Sequence, residues 1–377
     1  MSDRIVMTVL GPIPAEELGR TLAHEHCLID LSVWFSAPTE TSRKRDADRP
    51  IEMSMLADLR RRPFSTTRDN MILDDEELAI EELGFYVRAG GRSVVDVTCY
   101  GLGRDVQALQ RISRGTGLNI VASTGFYVEN AHPEWVAEMD ENALGEFMAD
   151  EVLHGVAGTD VRCGLIGEIG LTGIPRGAGR TKVGPITPAE EKVLRGAARA
   201  SVRTGVSVSI HTDPIDPHAA LPAIDILEEE GVEPGRIIMG HMDQVQDVDF
   251  HLAVAERGVY VEYDSLGREH YGEEWGFDFA WGHDSWRVRF VQRLVEEGHG
   301  GQVLLSHDVA LKTDLRKYGG NGYAHVLDNI VPTLWSLGLS RETVESILVD
   351  NPRRAFSYVP REVAEPVGSA ADKARAG

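Results

Sequence analysis

The chain has 377 residues and is acidic, with 60 Asp and Glu against 38 Lys and Arg and a net charge of −22 at pH 7. That balance argues against a nonspecific nucleic-acid surface or an anionic-membrane surface, and solubility is the simplest account of it. The three cysteines show no metal or disulfide spacing, no apolar run nears the about 18 residues a membrane span needs, and residues 1–10 lack the features of a secretion signal, so a cytoplasmic enzyme is expected.

In chain order, residues 5–10 with Gly11-Pro12 after them read as a short strand and turn ahead of the main fold. Residues 20–23 are strand one, a mostly apolar run ending at His24-Glu25-His26. The segment 31–71 follows as a long, lid-like excursion that mixes Trp34 and Phe35 with the basic stretch 43–49 and with Arg60-Arg61-Arg62. Asp74 and Asp75 open a helical pattern over 73–89, and the β-branched run 93–98 is strand two. Strand three, 119–123, leads into Thr124-Gly125-Phe126-Tyr127, and strand four, 163–167, leads to Glu168. Thr187-Pro188 supplies a cap and a first-turn proline for a helix over 190–204. Strands five to eight fall at 206–210, 237–240, 259–263 and 303–306, the first two followed by His211 and His241 and the last by His307-Asp308. A second long loop, 265–286, carries Trp275, Phe277, Phe279, Trp281 and Trp286. The tail 363–377 is rich in Ala, Gly and Lys and reads as disordered, leaving 1–362 as one domain.

Eight strands alternating with helices predict an α/β fold, a closed (β/α)8 TIM barrel with long loops after strands one and seven. His211 and His241 are 30 residues apart, one strand–helix unit, and His241 and Asp308 are 67 apart, room for two. A single His-x-His pair means little among thirteen histidines. Polar metal-binding types at five strand ends are another matter, because barrel strands deliver their carboxyl-end residues to one common mouth. Side chains two apart on a strand point the same way, so His24 and His26 can grip one ion while Glu25 faces the other side. His24, His26, Glu168, His211, His241 and Asp308 thus read as a ligand set for two metal ions, and a metal-dependent hydrolase is the leading expectation. A doubly wound open sheet is the alternative, disfavoured because ligands from strands one, four, five, six and eight could hardly converge on it.

The order His24-x-His26, Cys163-Gly-Leu-Ile-Gly-Glu168-Ile-Gly, Ser209-Ile-His211-Thr, Met239-Gly-His241 and Leu305-Ser-His-Asp308 resembles the phosphotriesterase-related branch of the amidohydrolase superfamily. The resemblance covers nearly the whole chain and includes the stretches 117–127, 198–205 and 312–323. It implies that His24, His26 and Asp308 hold the more buried of two divalent ions, that His211 and His241 hold the more exposed one, and that Glu168 and a hydroxide bridge them. Organophosphate-degrading members bridge their metals with a carboxylated lysine, whereas the matching position here is Glu168, with Gly167 as the other register and Lys182 the nearest following lysine. Zinc suits imidazole and carboxylate ligands, and manganese, cobalt or iron could take the same set. Asp308 is the expected catalytic residue, a proton acceptor that relays to the leaving group or to Asp243 or His307.

Tyr127, Arg268, Lys312, Arg316 and Tyr323 are the expected substrate contacts, a donor-rich set suited to an oxygen-rich or anionic small molecule. Hydrolysis of a lactone or carboxylic ester is expected, with an N-acyl amino acid amidase or a phosphotriesterase as alternatives. A TatD-like nuclease is opposed by the long loops and acidic balance, and a non-catalytic binding protein by the intact ligand set. The expected partners are a small-molecule substrate, no nucleic acid, no membrane, and a second copy of the chain if it dimerises.

Overall fold

A computed structural model describes residues 4–213, 217–271 and 282–360. Eight strands, β1 (Thr21–Glu25), β2 (Ser93–Asp96), β3 (Asn119–Thr124), β4 (Leu165–Leu171), β5 (Val208–Thr212), β6 (Ile237–Met239), β7 (Tyr260–Tyr263) and β8 (Val303–Leu305), pair in parallel in chain order. The ends of the sheet meet. The His24 N–H donates to Ser306 Oγ at 3.1 Å and the Asp308 N–H to the His24 carbonyl at 3.2 Å, which ties β8 back to β1 and closes the expected barrel.

Helices α1 (Glu76–Arg88), α2 (Val106–Thr116), α3 (Glu141–Leu153), α4 (Pro188–Thr204), α5 (Ala220–Glu229), α6 (Val248–Ala255) and α7 (Asp284–Glu296) lie between successive strands. Their starts follow the capping chemistry read from sequence: the Asp75 carboxylate accepts from Leu78 N, and Thr187 and Glu190 form a reciprocal capping box with Pro188 as first residue. Glu190 does more than cap α4, since its carboxylate also accepts from Thr172 N at 2.9 Å and Gly173 N at 3.0 Å, pinning the exit of β4.

The buried apolar residues fall into two clusters. The larger fills the space between strands and helices, and the smaller joins Ala23, Val95, Val121, Leu165, Ile238 and Leu304, contributed by six barrel strands, to Val6 and Phe356. Side chains from so many strands can share one cluster only inside the barrel. Its floor is closed by the hairpin of Ile5–Thr8 and Gly11–Pro14, with Ile5 exchanging two backbone hydrogen bonds with Tyr358.

Two local features depart from the sequence reading. Strand β4 runs past its expected end, so Glu168 sits within it, at a break in register against β5 between Ile166 and Ile169. Gly167 there has φ +126°, and a Cβ on it would fall 2.3 Å from the Ser209 carbonyl oxygen, so only glycine fits and Glu168 is the residue that presents a side chain. The 31–71 segment, read from the sequence as a lid-like excursion, carries secondary structure of its own. Ile29–Asp30 and Ile72–Leu73 pair across its base, it holds the short helices Thr41–Lys44 and Leu56–Arg61, and Asn70 Oδ1 accepts from both Thr313 N and Thr313 Oγ1 at 3.1 Å in the loop after β8. Of the aromatic loop residues, Trp275, Phe277, Phe279 and Trp281 lie outside the described residues, as does the 363–377 tail.

Candidate metal centre

The carboxyl ends of β1, β4, β5, β6 and β8 bring all six expected ligands together. Donor atoms of His24, His26 and Glu168 lie within 4.8 Å of one another, as do those of Glu168, His211 and His241, so the two groups share Glu168. A third group of the same kind joins His24, His241 and Asp308. All six side chains are buried. His241 and Asp308 have φ of 59° and 51°, left-handed backbone that costs non-glycine residues on the order of 1–3 kcal/mol and that is concentrated at functional sites.

Partners behind the histidines fix which nitrogen each presents. His24 Nδ1 is 3.0 Å from Glu262 Oε2, His26 Nδ1 is 2.8 Å from Thr98 Oγ1, and His241 Nδ1 is 2.9 Å from Asp264 Oδ1. A protonated Nδ1 held from behind leaves Nε2 as the free lone pair, and these three rings turn Nε2 inward. His211 is reversed. Its Nδ1 faces Glu168 Oε2 at 2.9 Å and its Nε2 faces the Tyr127 hydroxyl at 3.4 Å.

A divalent cation fits this donor set. His24 Nε2 is buried without a hydrogen-bond partner, 3.7 Å from Glu168 Oε2 and 3.8 Å from Asp308 Oδ1, and a buried nitrogen with no partner is costly unless something else satisfies it. His241 Nε2 and His211 Nδ1 stand 2.7 Å apart beside the same carboxylate. Burial works to raise the Glu168 carboxyl, but the His211 and His241 imidazoles prevail and hold it well below the usual carboxylate range. Asp308 is likewise held low against burial, chiefly by the Arg268 guanidinium.

The cluster opens into a cavity of about 390 Å³. Leu31, Trp34 and Phe64 of the inserted segment and Ile174 give it an apolar wall, while Arg180 and Lys182, on the loop after β4, and Asp213, after β5, give it charge. Lys182 pairs with Asp213 at 2.7 Å. Tyr127 lines this cavity as expected, and so does Arg268, but the Arg268 guanidinium is bound by Asp308 Oδ2 at 2.7 Å and Asp314 Oδ2 at 3.2 Å.

Three expected substrate contacts are elsewhere. Lys312 is paired with Asp69 at 2.6 Å, Arg316 stacks on Phe85 with its guanidinium 4.1 Å from the ring centroid, and Tyr323 is buried with its hydroxyl donating to the His26 carbonyl at 2.7 Å. The loop after β8 turns outward onto the inserted segment and α1, so closeness in sequence to Asp308 did not carry these residues to the cavity. His307 is also turned away, its Nδ1 2.7 Å from Glu25 Oε1 and its Nε2 accepting from Val326 N at 2.9 Å, and Asp243 is 3.1 Å from the buried Arg287 Nε. Among the described residues no hydrogen bond joins either side chain to Asp308.

Sequence reasoning missed the supporting residues. Glu262 and Asp264 stand two apart on and just after β7, the same alternation that flagged His24 and His26, yet carboxylates on a strand carry no specific signal. Glu25 faces away from the centre, as the strand period requires, and accepts from Ser306 Oγ, His307 N, His307 Nδ1 and Val309 N at 2.7–3.0 Å. It anchors the turn that presents Asp308.

The phosphotriesterase family model matches residues 4–356. An N-acetyltaurine hydrolase from Tetraodon nigroviridis is 38% identical over 355 residues, which is 94% of this chain and 98% of that one. Among solved structures, a resiniferatoxin-binding protein from Rhodobacter sphaeroides superposes with a TM-score of 0.87 at 38% identity, covering 93% of this chain and 94% of that one. A lactonase from Listeria monocytogenes superposes with a TM-score of 0.72 at 27% identity, covering 93% and 98%. Among the described residues no helix is long and apolar enough to cross a membrane. With a family match that spans the barrel from floor to closing helix, and imidazole–carboxylate clusters where that barrel gathers its strand ends, this chain belongs to the phosphotriesterase family and is a metal-dependent hydrolase.

Proposed function

We propose that this enzyme hydrolyses the acyl bond of a small N-acylated amino acid or aminosulfonate. The observation that carries the reading is the two-sided cavity over the cluster, apolar at Leu31, Trp34, Phe64 and Ile174 and charged at Arg180 and at Lys182 with its partner Asp213, from which a substrate anion would have to draw the ammonium. An acyl chain suits the first side and a carboxylate or sulfonate the second, because a guanidinium and an ammonium both recognise such anions. The full-length likeness to N-acetyltaurine hydrolases supports the same class.

In this reading His24, His26 and Asp308 would hold one cation and His211 and His241 another, with Glu168 within reach of both groups. Zinc is the best match to imidazole and carboxylate donors. Two bound cations supply the chemistry of an acidified water and a polarised carbonyl. The protein does the rest. Tyr127 directs the acyl oxygen, the apolar wall excludes bulk water, and Asp308, whose Oδ2 is committed to Arg268, takes the proton of the attacking water through Oδ1 and returns it to the leaving nitrogen as the C–N bond breaks. Arg268 therefore acts through Asp308 and is a positioning residue, not the substrate anchor expected from sequence.

A lactone or carboxylic ester is the second reading, favoured by the apolar wall and by the lactonase relative. Rates on N-acetyltaurine, N-acetyl amino acids, γ-lactones and aryl esters, measured with the zinc-loaded protein, separate the two. The proposal expects the anionic amides to show kcat/KM at least tenfold above the neutral lactones. A higher value for the lactones would reverse the assignment.

A further inference from the structure

One side chain of the inserted segment is hydrogen-bonded toward the cluster. Trp34 Nε1 donates to the Tyr127 hydroxyl at 3.0 Å, and that hydroxyl faces His211 Nε2 at 3.4 Å. The rings are stacked edge to face in sequence, Trp34 on Tyr127 with centroids 6.5 Å apart and Tyr127 on His211 at 4.8 Å. His211 is the one imidazole of the four that presents Nδ1 to Glu168, so its Nε2 carries the proton when Nδ1 serves as a ligand. The indole N–H is a donor only. The Tyr127 oxygen thus stands between two donors and accepts from both, and its own proton is left to point into the cavity that Tyr127 lines.

We infer that Trp34 is a positioning residue of this site: its indole N–H sets the Tyr127 hydroxyl as an acceptor for His211, and so links the seating of the inserted segment to the metal-holding geometry. Without that donor, the hydroxyl can turn its proton toward the indole side or toward His211, and the orientation of the imidazole is no longer dictated. The base of the segment is held by the Ile29–Asp30 and Ile72–Leu73 pairing, and Ser36 N donates to the Phe64 carbonyl at 3.0 Å, so the indole is delivered from an ordered framework. The inference rests on His211 being a metal ligand, and the test uses a readout independent of substrate.

Zinc affinity, measured by chelator competition in the unmodified protein, Trp34→Phe, Tyr127→Phe and the double variant, decides it. Loss of a group that orients a ligand from behind lowers metal affinity roughly 10–100-fold, so Tyr127→Phe should weaken the zinc that His211 holds by about that factor. Trp34→Phe keeps an aromatic wall but loses the donor, and should weaken the same zinc by about threefold to tenfold. In the Tyr127→Phe background it should add nothing, because the group it acts on has gone. Trp34→Gln, which restores an N–H at similar reach, should recover part of the loss. Equal effects of Trp34→Phe in both backgrounds, or none in either, would overturn the relay. An unmodified protein that takes up only one zinc would overturn the site assignment, and the relay with it.

Discussion

Asp308 carries two bonds that pull its chemistry in opposite directions. Its Oδ1 lies 3.2 Å from His26 Nε2, toward the cluster, and its Oδ2 is held by Arg268. If Asp308 moves a proton in the transition state, Asp308→Asn should lower kcat by roughly two to four orders of magnitude while KM changes far less, as steady-state kinetics on the best amide substrate would register. Arg268→Ala should also act on kcat, and it should move a pH limb. Arg268 holds the Asp308 carboxyl low against burial; without it the carboxyl protonates at higher pH, and the acid limb of the kcat profile should shift upward. An unchanged limb with a raised KM would instead return Arg268 to the role of substrate anchor. Glu168→Gln keeps shape but removes the charge shared by both groups, so elemental analysis should find one metal lost along with most of the rate. Retention of both metals at full rate would mean that another group bridges them.

At the scale of elements, the turn after β8 depends on one carboxylate from β1. Glu25 accepts four hydrogen bonds from residues 306–309, and hydrogen bonds to a charged group are worth about 1.5–3 kcal/mol each when buried. Glu25→Gln must face a backbone N–H with an amide N–H, so a loss of several kcal/mol is expected in denaturant titrations, together with a fall in activity although Glu25 touches no substrate. The strands and the six cluster residues were legible in the sequence because apolar runs have a period and five of the eight led to a ligand type. The long segment after β1 was not, since its path is set by contacts distant in sequence, such as Lys312 on Asp69 and Asn70 on Thr313, that leave no periodic trace. The same lack of period misplaced Lys312, Arg316 and Tyr323. Trp34 stood out only as an aromatic in a loop, and its hydrogen bond to Tyr127 needed the fold to bring two distant loops together.

The whole molecule combines a closed barrel, a floor made by the 5–14 hairpin with Phe356 and Tyr358, and buried histidines outside the metal cluster. His132 and His251 are each pushed down to about 4 by burial, from an ordinary value of 6.5. Below pH 6.5 the unfolded chain binds protons at these positions that the folded chain refuses, so their contribution is complete above that value and is lost as pH falls toward 4. The loss is on the order of 3 kcal/mol per histidine, from about 1.4 kcal/mol per pH unit. Urea titrations at pH 7.5 and 4.5 should show it, and His251→Gln should flatten the slope; an identical slope would mean that the ring is not held neutral. The number of metals that make the enzyme active bears on all of these claims at once. Zinc returned in steps to chelator-stripped protein, with bound metal counted at each step, should restore activity to a plateau close to two equivalents per chain. Full activity at one equivalent, with the second adding nothing, would contradict a centre in which Glu168 serves two cations.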